Sequence, residues 1–310
     1  MTRSNAFSHI VRHDDRTASG VWAGYTLRSA FQPIFVFRAG RLEIAAFEGL
    51  IRPFRDGKSV PPMDFFRSVP AGDRFGIETL TRTLHLLNAG AFLAPPAMLF
   101  VNFDPSVFSD RALADSALRE MRLTLHETGI DPRRVVCEVT EQRSASDHAL
   151  AAFVSMLRDH GLRIAVDDYG ADDSDIERVA TLKPDIVKFD AKWVVRLMDT
   201  RPGFGLLKVM VGEFSSRGIG IVFEGIEDGR QLELAEKAGA DMVQGFALVR
   251  PALVPADFSV FAHAGGHAGG DETLLPGEGV QAARLHAHPS TQAPHGGGQL
   301  HRPFGRRKTG

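Results

Sequence analysis

The stretch IAVDDYGADDSD, residues 164–175, places five aspartates directly after a short apolar run. Carboxylates packed this closely repel one another unless water or a cation lies between them. The segment is therefore either a solvated acidic loop or part of a metal site. Asp167 and Asp168 stand where the apolar run ends and are the candidate ligands. The later aspartates are typical of a loop and a helix start, where acidic residues are favourable.

Polar side chains stand at the ends of several apolar runs of the chain. Including the aspartate pair, they are Asn102, Glu138, Asp167, Asp168, Lys188, Glu224 and Gln244. With Glu48, they would bring five carboxylates together, and such a cluster disfavours full ionisation unless divalent cations neutralise it. All-oxygen ligands suit Mg²⁺ or Mn²⁺ rather than structural zinc. One aspartate that bridges two ions about 3.5–4 Å apart would give the two-metal arrangement for attack on a phosphodiester. Lys188 could orient the attacking group or offset charge on the phosphate. The alternative is a set of unrelated polar residues at loop ends.

The elements that must position these residues alternate between strands and helices. Strands are predicted at 31–37, 97–103, 133–139, 162–168, 185–190, 219–225 and 241–246, and helices at 146–161, 174–183, 203–218 and 228–239. Several strand candidates are apolar throughout, as in parallel strands that are covered on both faces. Gly161, Gly218 and Gly239 stand where helices should stop.

Repeated strand–helix units predict either a (β/α) barrel or a doubly wound sheet. In a barrel, the carboxyl ends of all strands converge on one mouth, where catalytic residues collect. Strands spread along an open sheet could not all reach one ligand. The polar strand ends therefore favour an α/β fold with a TIM-like (β/α) barrel.

Composition is that of a globular protein, with 44% hydrophobic and 24% charged residues and a net charge of −2. This charge gives no electrostatic case for binding a nucleic-acid polymer or an anionic membrane. No apolar segment approaches the roughly 20 residues of a membrane span, and the start lacks a secretory signal. Cys137 is the only cysteine and cannot form an internal disulfide. We therefore expect a cytoplasmic protein.

The chain divides into three parts by composition. Residues 1–24 form a short extension, and residues 25–255 form the barrel domain; VWAGYTL (21–27), at their junction, could begin a short helix. The extension is too short for a sensor domain, so regulation is expected from elsewhere. Residues 262–310 are rich in Gly, His and Pro and are expected to be a disordered tail.

Motifs in the barrel region resemble those of the EAL domain family, whose active members hydrolyse cyclic di-GMP to linear pGpG. The matching segments are FQPIFVF (31–37), FEGLIRP (47–53), VNFDP (101–105), EVTE (138–141), VDDYG (166–170), VKFD (187–190), FEGIE (223–227) and VQGFALVRP (243–251). Each motif alone is weak, but together, in this order, they are highly specific. The resemblance covers about residues 25–255.

The resemblance implies a role for each matching residue. Glu48, Asn102, Glu138 and Asp167 would bind a first Mg²⁺ or Mn²⁺ ion, and Asp167 would bridge to a second ion that Asp168 also holds, with Glu224 nearby. Catalytic roles would fall to Lys188, beside the attacking water, and to Glu224 and Glu48. Arg52, Gln32 and Gln244 would contact the substrate, and Glu141 would brace the loop after the aspartate pair.

Two positions depart from the family pattern. Gly49 stands where the naming motif has alanine, and a glycine is expected to loosen the strand end slightly. In the loop, active relatives usually read DDFGTGYSS, whereas this chain reads DDYGADDSD. Asp172 thus replaces a glycine in a loop that the family ties to dimerisation and to retention of the second metal.

The leading interpretation is a metal-dependent cyclic di-GMP phosphodiesterase that forms a homodimer. The alternative is an EAL-type module that binds the nucleotide, or a protein regulator, without hydrolysis. The altered loop and Gly49 favour this alternative, whereas the intact ligand set favours the enzyme. A barrel that acts on another phosphate ester is a third possibility, because fold alone does not fix the substrate.

Overall fold

The computed structural model describes residues 9–104, 111–140, 147–171 and 176–258. Its strands are β1 (Ile10–Arg12), β2 (Ala18–Trp22), β3 (Tyr25–Arg38), β4 (Arg41–Arg55), β5 (Lys58–Ser59), β6 (Met98–Phe103), β7 (Val135–Thr140), β8 (Arg163–Tyr169), β9 (Ile186–Phe189), β10 (Gly220–Phe223), β11 (Met242–Val243) and β12 (Ala252–Leu253). Its helices are α1 (Pro62–Ser68), α2 (Arg74–Phe92), α3 (Arg111–Thr128), α4 (Asp147–Asp159), α5 (Ile176–Leu182), α6 (Ala191–Met198), α7 (Arg201–Ser216) and α8 (Gly229–Ala238).

Eight of these strands close into a barrel. Strands β4, β6, β7, β8, β9, β10 and β11 pair in this order, each parallel to its neighbour. Strand β3 lies antiparallel between β11 and β4 and closes the ring. The predicted (β/α) barrel is therefore confirmed, although the strand at 31–37 runs against the others.

The β3–β4 hairpin is longer than the barrel needs. Its register runs from Arg38↔Arg41 at the turn to Tyr25↔Arg55 at the far end, so the hairpin continues past the mouth. Strands β2 and β5 extend this outer part, and α1 and α2 pack on one face of it. Apolar residues, among them Leu27, Phe65 and Leu84, form a small separate core there.

The first residues of the described chain correct one expectation. From the sequence, VWAGYTL could begin a helix, but it spans the end of β2 and the start of β3. Trp22 and Tyr25 pair across a two-residue turn at Ala23 and Gly24, both of which have positive φ. This is the backbone geometry of a tight β-hairpin, so local turn chemistry decides the structure.

The four predicted helices correspond to α4, α5, α7 and α8, whereas α1, α2, α3 and α6 were not predicted. The stops at Gly161, Gly218 and Gly239 are confirmed, since all three have positive φ and lie within two residues of a helix end. Helix α8 also has the Asp228 side chain as its N-cap, which accepts a hydrogen bond from the Gln231 amide. Among the described residues, no helix has the length and apolar character needed to cross a membrane.

Candidate active site

Two successive layers of side chains fill the barrel toward its mouth. The lower layer is apolar and buried, and it contains Ile34, Ala46, Phe100, Val136, Ala165, Ile186, Val222 and Met242, one from each barrel strand. Two residues further toward the mouth stand Gln32, Glu48, Asn102, Glu138, Asp167, Lys188, Glu224 and Gln244. Because strand side chains alternate between faces, this second set shares the inward face of the first. We call it the polar layer.

The ammonium of Lys188 lies at the centre of the polar layer. Its Nζ is 2.5 Å from Glu138 Oε1, 2.7 Å from Glu224 Oε1, 3.0 Å from Asp167 Oδ1 and 3.8 Å from Glu48 Oε1. The side chains of Lys188 and Glu138 are 1% and 0% exposed. Burying a charge is costly unless it is paired, so the charged groups of this layer depend on one another.

Burial is the largest influence on the pKa values of these groups. It raises the pKa of Glu224 to about 8 and that of Glu138 well above its ordinary value, although Lys188 opposes both shifts. Burial alone would lower the pKa of Lys188, but the surrounding carboxylates, with Asp167 foremost, raise it well above its ordinary value. Lys188 therefore holds its proton more tightly than a free lysine does, and Glu138 and Glu224 bind protons more readily than free carboxylates do.

The donor set of the polar layer fits divalent cations. Oxygen atoms of Asp167, Asp168 and Glu224 lie within 4.8 Å of one another. Oε2 of Glu138 is buried and has no hydrogen-bond partner among the described residues, so a strong acceptor is left for a cation. Carboxylate and amide oxygens are ligands that Mg²⁺ and Mn²⁺ prefer.

A sharp turn after β8 lets two consecutive aspartates belong to the same cluster. Asp168 has a φ of 58°, a left-handed conformation that aspartate tolerates better than most residues, and its carbonyl accepts a hydrogen bond from the Ala171 amide at 3.0 Å. Gly170 follows with a φ of 96°, and a Cβ there would collide with the ring of Trp193. Asp168 is exposed, yet partial burial of its carboxyl group and the charge of Asp167 raise its pKa to about 6.

The remaining predicted residues surround this cluster at different distances. Gln244 Nε2 donates a hydrogen bond to Glu48 Oε2 at 2.7 Å, whereas Gln32 Nε2 donates to the Val249 carbonyl at 3.1 Å. Asn102 holds its place in the polar layer with an exposed side chain. Arg52 lies four residues beyond Glu48 on β4, where it is half-buried, and burial chiefly lowers its pKa.

A family comparison agrees with this architecture. The model of the EAL domain family matches residues 22–251, which is most of the chain. This chain belongs to the EAL domain family.

Curated relatives of this EAL domain include signalling proteins. A signalling protein of Caulobacter vibrioides is 29% identical over 233 residues, which are 73% of this chain and 27% of the relative. The cyclic di-GMP phosphodiesterase RocR of Pseudomonas aeruginosa is 29% identical over 163 residues, which are 52% of this chain and 40% of RocR. The chain spans 27%, 30% and 53% of the first curated relatives that it matches, so well under two thirds of their length.

Solved structures with the same fold include complexes with a nucleotide. BlrP1 of Klebsiella pneumoniae, in a manganese and cyclic di-GMP complex, has a TM-score of 0.66 and 25% identity, and the match covers 73% of this chain and 56% of that one. The EAL domain protein YkuI of Bacillus subtilis, in complex with cyclic di-GMP and calcium, has a TM-score of 0.64 at 23% identity and covers the same shares, 73% and 56%. At this identity YkuI supports the fold alone.

Gly49, which stands where the naming motif of the family has alanine, lies against a side chain that leaves no room for a methyl group. A Cβ at Gly49 would lie 2.9 Å from Cγ and 3.1 Å from Cβ of His85, a buried residue of α2. The expected loosening of the strand end is therefore not the main effect, because the imidazole ring fills the space beside the glycine. His85 Nδ1 is held by Ser29 Oγ at 3.0 Å.

Sequence reasoning missed His85 and Trp193, which support the site from behind. The one sequence signal for the role of His85 was Gly49 itself. It lacks the methyl group of the family alanine, and in a close-packed protein another side chain must fill that space. The proposed brace Glu141 and the loop residue Asp172 lie outside the described residues.

Proposed function

We propose that this EAL domain hydrolyses cyclic di-GMP to linear pGpG with two divalent cations. The observation that carries the proposal is the polar layer, in which four carboxylates surround Lys188 and Asp168 adds a fifth. Family membership supports it, and so does the likeness to RocR and to BlrP1 in its manganese and cyclic di-GMP complex.

The cations would bind to carboxylates that the fold already brings together. Glu48, Asn102, Glu138 and Asp167 would hold one Mg²⁺ or Mn²⁺ ion, and Asp167, Asp168 and Glu224 would hold the other. The ions would supply a nucleophile at neutral pH and charge stabilisation on the phosphate oxygens. In return, they would displace the protons that the buried carboxyl groups otherwise take up.

Lys188 has a defined role in this proposal. In the metal-free site, the surrounding carboxylates raise its pKa above the ordinary value, so its ammonium can donate hydrogen bonds. From the centre of the polar layer, Lys188 can orient the attacking water and stabilise negative charge on the phosphate. In the reaction, water would lose a proton as it forms a bond to phosphorus, and the bond to the ribose 3′ oxygen would break in line with it as that oxygen takes up a proton.

Glu48 and the outer residues would position the nucleotide and the water. Glu48 is fixed by Gln244 at 2.7 Å and lies 3.8 Å from Lys188, so its carboxylate is oriented before any ligand arrives. Arg52 and Gln32 would contact the substrate beside the cluster. We also propose that the protein forms a homodimer, that it is controlled by a protein regulator and that it is located in the cytoplasm.

A product assay tests the proposed function. The purified chain is incubated with cyclic di-GMP and Mg²⁺ or Mn²⁺, and pGpG is followed by chromatography. We expect linear product, and we expect Asp167→Asn to lower the rate by roughly 100-fold or more, because the bridging carboxylate is lost. The matched control is Asp199→Asn, which changes an exposed aspartate and should leave the rate unchanged.

The assay also separates the alternatives. Tight binding of cyclic di-GMP without product in either metal would replace the enzyme by a nucleotide receptor. Neither binding nor product would favour a protein-binding role. Equal rates for wild type and Asp167→Asn would show that the turnover does not come from the polar layer.

A further inference from the structure

The inward face of the β3–β4 hairpin continues beyond the polar layer. Gln32 lies opposite Glu48, and four residues further out on each strand Arg28 lies opposite Arg52. Since side chains alternate along a strand, Arg28 and Arg52 share the face that carries Gln32 and Glu48. At about 3.3 Å per residue, the arginine pair lies roughly 13 Å along the hairpin from Glu48, within reach of a dinucleotide held at the mouth.

Two arginines that face each other across a hairpin are unfavourable without a counter-charge. Among the described residues, neither Arg28 nor Arg52 forms an ion pair within 4 Å; Glu48 acts on Arg52 from a greater distance, but it is engaged by Gln244 and Lys188. The Asp15 carboxylate accepts hydrogen bonds from the Thr17 hydroxyl and amide at 2.6 and 3.0 Å, and these bonds are the main cause of its lowered pKa, to which Arg28 adds only a small contribution. The pair is therefore a place where an anion would be stabilised.

Two contacts hold Arg28 in position and leave most N–H donors of its guanidinium available for a ligand. Arg28 Nη2 donates to the Val254 carbonyl at 3.1 Å, and its Cζ lies 5.9 Å from the centroid of the Phe54 ring. A guanidinium has five N–H donors in a planar fork, which matches two phosphate oxygens at once. Arg52 Nη1 donates to the Ile51 carbonyl at 2.9 Å, so it is likewise tethered through one nitrogen.

We propose that Arg28 is a substrate-binding residue that joins Arg52 in holding the phosphate of cyclic di-GMP that is not cleaved. The inference rests on the proposed function of the polar layer. With one phosphate at the polar layer and the other at the arginine pair, the site selects a nucleotide with two phosphodiesters over one with a single phosphodiester. Arg28 then acts on binding and not on the bond-breaking step.

Substitutions at Arg28 test the proposal through the division between KM and kcat. Arg28→Gln removes the charge but keeps an N–H donor for the Val254 carbonyl, and Arg28→Lys keeps the charge but loses the fork. We expect Arg28→Gln to raise KM for cyclic di-GMP roughly 10-fold or more, with kcat nearly unchanged, and Arg28→Lys to restore part of the loss. Arg41→Ala, which changes an exposed arginine at the opposite end of β4, serves as the control and should leave KM unchanged.

Equilibrium binding of cyclic di-GMP keeps this test separate from that of the proposed function. If the wild type binds the nucleotide without hydrolysis and Arg28→Gln raises the dissociation constant by the factor expected for KM, roughly 10-fold or more, the inference holds and the enzyme proposal fails. If the wild type turns over and Arg28→Gln has the wild-type KM and melting temperature, the inference is overturned. A lower melting temperature with an unchanged KM would also overturn it, because Arg28 would then serve only the fold. A wild type that does not bind cyclic di-GMP overturns it together with the proposed function.

Discussion

The imidazole ring of His85 fills the space that a side chain at position 49 would occupy. Gly49 is the neighbour of Glu48 on β4, and a Cβ built on it would lie 2.9 Å from Cγ of His85. His85 is fully packed and is held by Ser29 Oγ at 3.0 Å, so it cannot move aside easily. The glycine and the histidine are therefore a matched pair that keeps Glu48 in place.

We expect Gly49→Ala, which restores the family alanine, to destabilise this protein. Overpacking of a close-packed site costs about 1–3 kcal/mol in the free energy of unfolding. The double variant Gly49→Ala with His85→Ala should cost less than the sum of the two single changes, because the removed ring makes room for the methyl group. Urea unfolding of the four proteins measures this coupling. Gly212→Ala on α7, where a Cβ meets nothing within 4 Å, is the control and should not destabilise. Additive effects in the cycle would contradict the pairing.

His85 also predicts a pH dependence of stability. Burial lowers its pKa from 6.5 to about 3, with smaller contributions from Arg52 and Arg82. A histidine that stays neutral in the folded state stabilises the fold fully above pH 6.5, and this stability is lost as the pH falls from 6.5 toward 3. We expect a loss of about 1 kcal/mol per pH unit below pH 6.5 relative to His85→Gln, which does not titrate.

The measurement is the free energy of unfolding of wild type and His85→Gln from pH 7.5 to 4.5. Their difference cancels the titration of the carboxyl groups in the polar layer, which both proteins share. His126→Gln, a change of an exposed histidine on α3, should give no such trend. A difference that stays constant with pH would mean that His85 has the same pKa in the folded and the unfolded state, and it would contradict the prediction.

Much of this arrangement follows from the sequence, and the reasons for the remainder are physical. Most of the polar layer was predictable because Asn102, Glu138, Asp167, Lys188, Glu224 and Gln244 stand toward the ends of short apolar runs, and β-strands have a period of two. Strands β4, β1 and β2 were not predicted, since β4 and β2 pair with β3 in a hairpin that extends past the barrel, and β1 pairs with β2 there. The contact of His85 with Gly49 joins α2 to β4 and has no local signal.

Removal of Lys188 should destabilise the metal-free protein strongly. Lys188→Ala leaves the buried Glu138 and its neighbours without their common counter-charge, and loss of one partner of a buried ion pair costs about 3–5 kcal/mol. The raised pKa values of Glu138 and Glu224 predict a larger loss at pH 8 than at pH 6, where these carboxyl groups take up protons.

Melting temperatures in EDTA and in Mn²⁺ check this prediction. Because a bound cation replaces the missing positive charge, Mn²⁺ should raise the melting temperature of Lys188→Ala more than that of the wild type. Lys192→Ala, which changes an exposed lysine on α6, is the control and should behave as the wild type. Equal metal-dependent shifts in all three proteins would mean that Lys188 and the cations do not share a site.

Calorimetric titration of Mn²⁺ into the metal-free protein, in the presence of cyclic di-GMP, tests the central claim most directly. The polar layer predicts two ions for each chain in the wild type and a substantial loss of binding in Asp167→Asn, whose side chain is common to both proposed positions. A folded wild type that takes up no Mn²⁺, or an Asp167→Asn variant that binds Mn²⁺ as the wild type does, would contradict the account.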